Sequence, residues 1–196
     1  MISRLSSIIT EALLKAQVIE EADRELYVYG FFVLLSQGLF FLISVLFGCI
    51  FGTLCESIVF YFMFSTLRCY AGGFHASKES VCTCCTTAAL FLAELSIWTL
   101  TKAENILLPL CTLVLCSAVV YLQSPLDSED KPLSYIEFCS YRRKSRTIVV
   151  GVVIIAIIGI WASFLGILYA ATSSMVLESF LLGLERIVRK TKHNSY

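Results

Sequence analysis

Apolar residues run along this chain in long blocks separated by short polar stretches. A membrane helix needs about 20 mostly apolar residues, or about 17 at the short end. By that ruler the blocks are 29–51, a shorter one over 53–66, then 82–100 and 105–122. The block over 147–184 is too long for one helix. Gly166 and the polar Thr172, Ser173 and Ser174 place a split near 165–169, giving two helices that are short or tilted. The pattern therefore predicts about six transmembrane helices. Before the first block, Ile2, Leu5, Ile8, Ile9, Leu13 and Leu14 recur at helical spacing, with Arg4, Ser7, Glu11 and Lys15 between them. That is an amphipathic helix, lying either at the membrane interface or on the protein's own cytoplasmic face. The expected fold is all-α and polytopic. An amphipathic segment covers 1–28, six spans occupy 29–186, and a basic tail covers 187–196.

Composition supports the bilayer. Hydrophobic residues make up 58% of the 196-residue chain and charged residues 15%, with mean hydropathy +0.81; a soluble domain has about half and a quarter. Fifteen basic and fifteen acidic residues cancel, so no global basic excess points to nucleic acid. Where the positive charges fall is more informative. With the N-terminus inside, the inside segments are 1–28, 67–81, 123–146 and 185–196. They hold every Lys and Arg of the fifteen except Lys102. The positive-inside rule then places both termini and the 67–81 connection in the cytoplasm. The first 28 residues carry Glu11, Glu20, Glu21, Asp23 and Glu25 with no early apolar core, so a cleavable signal peptide is not expected. Nine cysteines, mostly inside apolar blocks, do not make the framework of a secreted disulfide protein; they are expected to be mostly thiols in a reducing compartment.

Reactive side chains gather in one place, 68-RCYAGGFHASKESVCTCC-85. His75 and Cys82 are seven residues apart. On a straight helix they would share a face but stand roughly 10 Å apart along the axis. A working dyad therefore needs a bend between Gly72 and Cys82, with Gly72-Gly73 as the flexible point. A thiol at a helix N-terminus beside an imidazole meets the needs of a nucleophile and its base. Arg68 could grip a substrate carboxylate, and amides around Gly72 and Gly73 could form an oxyanion hole. Spacing alone leaves other readings open: an incidental pair, or metal ligation by His75, Cys82, Cys84 and Cys85. The latter set lacks the two-residue gap of structural zinc knuckles.

The order Arg68, Gly72-Gly73, His75-Ala76, Cys82, directly after an apolar span, resembles the AgrB family, the membrane endopeptidases of Gram-positive peptide quorum sensing. The loop 124-SPLDSEDKPL-133 resembles that family's Pro-containing loop after the fourth span, and the match in size and span number covers essentially the whole chain. The resemblance implies a bacterial cell-membrane cysteine endopeptidase, with cytoplasmic segments 67–85 and 123–146. It would cut the C-terminal tail from an AgrD-like precursor peptide. Cys82 would form an acyl-enzyme thioester, His75 would serve as base and then acid, and a thiol or hydroxyl of the precursor would close a thiolactone or lactone. No cofactor or metal is implied, and the partners are the precursor and the lipid bilayer, with no nucleic acid. Cys84 and Cys85 crowd the nucleophile without belonging to the family pattern.

Other features remain outside that scheme. Glu56, Glu94 and Glu178 fall in or near predicted spans, where carboxylates are costly. They motivate a competing function, a small transporter or peptide exporter. A redox- or metal-sensing membrane protein is a third. The basic run 142-RRKSR-146 reads as a topology anchor and anionic-lipid contact, or as a grip for an acidic peptide. Gly151 and Gly159 suggest a small-residue face for a homodimer, which the resemblance also favours.

Overall fold

The structure is a computed structural model that describes residues 2–72, 79–103, 105–126 and 134–193. His75, Gly73 and most of the 124–133 loop lie outside the described residues. Among the described residues seven α-helices follow one another: α1 (Ile2–Lys15), α2 (Arg24–Phe51), α3 (Leu54–Ala71), α4 (Glu79–Ala103), α5 (Leu107–Gln123), α6 (Tyr135–Trp161) and α7 (Leu165–His193). Among the described residues there is no β-strand. The chain divides into two compact units, Met1–Ile43 and Ser44–Tyr196.

In the first unit, α1 leaves Leu5 and Ile8 exposed, at 47% and 64%. A short 3-10 turn over Glu21–Asp23 leads into α2. The Arg24 guanidinium donates to Glu11 Oε1 from Nη2 at 2.6 Å and from Nε at 3.2 Å, joining α1 to the start of α2. Those bonds, and then the guanidinium's charge, hold the Glu11 carboxyl below the usual carboxylate range.

In the second unit α7 is the central helix, with α3, α4, α5 and α6 packed against it. An 18-residue stretch of α7 is 61% buried, against 11% for α2. The sequence of α7 explains its place. The stretch 168-LYAATSSM-175 is made largely of small side chains, which let neighbouring backbones approach closely, and every one of these residues is buried. Lipid rewards large apolar residues on the outside of a bundle, so the smaller and more polar helix goes to the middle. Its threonine and serine hydroxyls are satisfied there: Thr172 Oγ1 donates to the Leu168 and Pro109 carbonyls, Ser174 Oγ donates to the Ala171 carbonyl, and Ser96 Oγ and Ser173 Oγ share a bond of 2.7 Å.

Glu94 on α4 is fully buried. Its two carboxyl oxygens accept from Ser44 Oγ at 2.7 Å and Ser57 Oγ at 2.6 Å, which ties α2, α3 and α4 together. Gly48 makes this possible, since a Cβ there would strike the Ser57 side chain. Replacing Glu94 by alanine removes that shared acceptor and opens a cavity, for an expected loss of about 2 kcal/mol. Glu94→Gln keeps an acceptor for one hydroxyl and should retain most of the stability. Thermal unfolding in detergent compares the two.

The expectation of six spans is corrected. Six helices stand where the six blocks predicted them, but among the described residues four are long and apolar enough to cross a membrane: Glu21–Phe51, Glu79–Ala103, Tyr135–Trp161 and Leu165–Thr191. The reason is length and charge. The 17 residues of α5 reach roughly 26 Å, short of a hydrocarbon core of about 30 Å. At 18 residues α3 is little longer, and it carries Glu56 and Arg68.

Two boundaries also differ. The break in the longest apolar block falls at residues 162–164, earlier than 165–169: Ser163 takes φ 61°, and Phe164 N–H bonds back to the Gly159 carbonyl. Gly159 is buried against Ile167, where a Cβ would clash, whereas Gly151 faces open space. The two glycines therefore do not form one surface for a partner. The connection read over 123–146 is helical from Tyr135 onward. Ser134 Oγ accepts from Glu137 N–H while Glu137 Oε2 accepts from Ser134 N–H, a reciprocal cap that starts α6 well before its long apolar block at 147 begins.

Candidate active site

At Ala71 the α3 helix stops, because Gly72 turns to φ 78°, ψ −152°, a region open essentially to glycine. Arg68 Nη1 donates to the Gly72 carbonyl at 2.9 Å and closes the helix end. The chain after α5 returns to this point. Leu126 N–H donates to the Ala71 carbonyl at 2.9 Å, and Gly72 pairs with Leu126 as an isolated parallel bridge. A Cβ on Gly72 would run into the Leu126 carbonyl oxygen. Glycine is thus required here by backbone approach, whatever its amide does in chemistry. The Ser124–Pro125 peptide bond just before is cis, and Ser124 Oγ and Ser145 Oγ bond at 2.7 Å, linking this segment to α6.

The same end of α3 is held by α6. Tyr70 and Tyr141 meet edge to face with ring centroids 5.8 Å apart, and Lys144 Nζ sits 5.0 Å from the Tyr70 ring centre. Both motif segments read from the sequence, the one opened by Arg68 and the one opened by Ser124, therefore start from one end of the bundle. Arg142, Arg143, Arg146, Arg186 and Arg189 lie toward that end as well, and Arg186 donates to the Gln123 carbonyl. Lys102 lies in the last turn of α4, at the opposite end of that helix from Cys82.

Cys82 stands in the first turn of α4, which is described from Glu79, and it is half-buried. Cys84 and Cys85, one turn on, are exposed. Among the described residues, which include all nine cysteines, no disulfide is formed, and no three His, Cys, Asp or Glu side chains gather as a metal set. Gly73 and the His75 imagined as base fall outside the described residues. The α3 helix ends at Ala71, just before the Gly72-Gly73 pair read as a flexible point.

One further carboxylate belongs to this region. Glu178 on α7 is fully buried, neither of its oxygens has a hydrogen-bond partner among the described residues, and Arg68 is the positive charge acting on it. Its sequence signal was only that of a costly carboxylate in an apolar helix. Nothing in the sequence tied it to Arg68, because the two residues are more than a hundred positions apart in the chain. Ser44 and Ser57 likewise carry no sequence signal as partners of Glu94.

Accessory gene regulator B matches residues 6–182, nearly all of the described chain. The chain belongs to the accessory gene regulator B family. Two AgrB-like proteins of Clostridium perfringens are similar to it: one from strain SM101 / Type A is 30% identical over 139 residues, and one from strain 13 / Type A is 29% identical over 139 residues. Each alignment covers 68% of this chain and 64% of the relative, so the AgrB-family chain spans somewhat less than two thirds of those relatives' length. No solved structure matches it.

Proposed function

We propose that this AgrB-family chain is a membrane cysteine endopeptidase that processes an AgrD-like peptide precursor for quorum sensing. The observation that carries the reading is the half-buried thiol of Cys82 in the first turn of α4, at the end of the bundle where Arg68, Gly72 and Leu126 meet. The Cys82 sulfur attacks the scissile carbonyl as His75 takes the thiol proton. The C–N bond then breaks, and His75 passes the proton to the departing amine of the C-terminal tail. The remaining peptide is held as a thioester on Cys82. A thiol or hydroxyl within that peptide attacks the thioester, frees Cys82 and closes a thiolactone or lactone.

Energetics favour this order. Exchange of one thioester for another is near balance, whereas direct closure from an amide is uphill. Ring closure must outrun water, so a partly enclosed thiol at the membrane surface suits it better than an exposed one. On this reading Arg68 supports the site through the Gly72 carbonyl and the buried carboxyl of Glu178. Both termini and the active site face the cytoplasm, as the clustering of basic residues suggests. Glu94 serves as a tie between helices rather than a carrier of ions or substrate, which removes the main support for a transporter.

Trapping the intermediate tests the proposal. The protein in vesicles, given a leader-bearing precursor whose internal nucleophile is replaced by alanine, should gain the mass of the truncated peptide. Hydroxylamine should release that mass, because it cleaves thioesters. Absence of any adduct while tail release continues would overturn the covalent route.

A further inference from the structure

A groove of about 470 Å³ opens between the end of α5 and the start of α6. Arg142, Arg143 and Arg146 line it on one side and Tyr121 on the other. Three guanidinium-bearing residues within five positions, with no acidic residue in the lining among the described residues, make an anion-seeking mouth. Arg146 is held in place rather than loose: its guanidinium lies 4.6 Å from the Tyr121 ring centre, and its Nε donates to the Tyr121 carbonyl.

Directly beside it is a second groove of about 310 Å³, which shares Tyr121 and is bounded by Ser117, Ala118, Leu122 and Val149. Its lining is almost wholly apolar. Along α6 the step from Arg142 to Val149 or Val150 is roughly 12 Å toward the membrane interior. The order down the groove is thus arginines, then a tyrosine, then apolar side chains. Ser117 Oγ, buried in the deeper part, has no hydrogen-bond partner among the described residues and offers a donor. Neither groove is used by the proposed chemistry at Cys82.

We infer that this composite groove is a binding site for one anionic phospholipid of the surrounding leaflet. The arginines take the headgroup phosphate, Ser117 donates to a glycerol ester carbonyl, and the Ala118–Val149 groove takes the upper part of an acyl chain. An acidic peptide would use the arginines but has no apolar tail for the deeper groove, and inorganic phosphate would use neither Ser117 nor the apolar walls. A basic mouth between membrane helices leading into an apolar channel fits a lipid in both charge and shape. The inference is independent of the peptidase reading, since lipid retention is measured without any substrate.

Native mass spectrometry of the full chain from mixed phosphatidylglycerol and phosphatidylcholine provides the test. The wild type should retain one phosphatidylglycerol in preference to phosphatidylcholine. The double variant Arg142→Gln/Arg146→Gln should weaken that retention by about thirtyfold, from the usual worth of two basic residues at an anionic surface. Ala118→Phe fills the exposed deeper groove, keeps every charge and leaves the core untouched, and it should also abolish retention. Monodisperse elution controls for folding of each variant, and Ala118→Phe keeps the test decisive if the double variant fails to fold. Retention unchanged in Ala118→Phe would mean a surface charge contact only and would overturn the site. Displacement of the lipid by inorganic phosphate alone would do the same. So would loss of binding to an acidic peptide in the arginine variant with lipid retention intact, because the groove would then belong to the peptide.

Discussion

Cys82→Ala in vesicles should release no tail from a leader-bearing precursor, a loss of at least about 10⁴-fold, as expected when a covalent nucleophile is removed. His75→Ala removes the proton acceptor and donor but leaves the thiol, so a smaller loss of about 10²–10⁴-fold is expected. The neighbouring thiols sharpen the test. Cys84 and Cys85 are close in sequence, yet both are exposed on α4 while Cys82 is half-buried in its first turn. Cys84→Ala and Cys85→Ala should therefore cleave at close to the wild-type rate. Mass spectrometry of released tail and truncated peptide reads all four variants in one assay. Cleavage retained in Cys82→Ala or His75→Ala, or lost in Cys84→Ala alone, would defeat the dyad.

The second large effect is expected at Gly72. Alanine there must adopt φ 78°, ψ −152°, at a cost of about 1–3 kcal/mol. Its Cβ would also collide with the Leu126 carbonyl oxygen, so the chain must shift and the Ala71–Leu126 hydrogen bond must lengthen or break. Loss of that bond adds about 1 kcal/mol. The damage falls where α3 ends and the 124–126 segment docks, far from the Glu94 tie and the central small-residue stretch of α7. Gly72→Ala should therefore insert and elute as a folded protein with a lowered unfolding temperature, yet lose tail cleavage almost completely. Gly151→Ala, where a Cβ meets nothing, is the matched control and should behave as wild type. A Gly72→Ala protein with full cleavage and unchanged thermal unfolding would show that the docking is not needed.

The candidate site was legible in unequal parts. The motif from Arg68 to Cys82 could be read because its members are close in the chain and its spacing is itself the signal. The end of α3 at Ala71 agrees with the Gly72-Gly73 pair read as a flexible point, whereas most of the stretch between His75 and Cys82, where helix geometry calls for a bend, lies outside the described residues. The docking of Leu126 on Ala71 could not be read, because a hydrogen bond between residues 55 positions apart leaves no periodic trace. The same holds for Glu94 with Ser44 and Ser57. A carboxylate in an apolar block announces that a partner is needed, but serines on two other helices give no sign that they supply it.

Sequence by itself determined that this is an all-helical membrane-type chain, that helices alternate with short connections, and that positive charge collects on one set of them. These follow from the length of apolar runs and the distribution of Lys and Arg, which act locally. Which helix occupies the centre was decided only by tertiary structure. Outside helices need large apolar surfaces toward lipid, and the core admits only what allows close approach, so the small, hydroxyl-bearing stretch of α7 was drawn inside. Tertiary structure also decided which helices are too short to cross alone, and it joined the Arg68 and Ser124 segments at one end of the bundle. Those outcomes depend on contacts between distant residues, and no local pattern encodes such contacts.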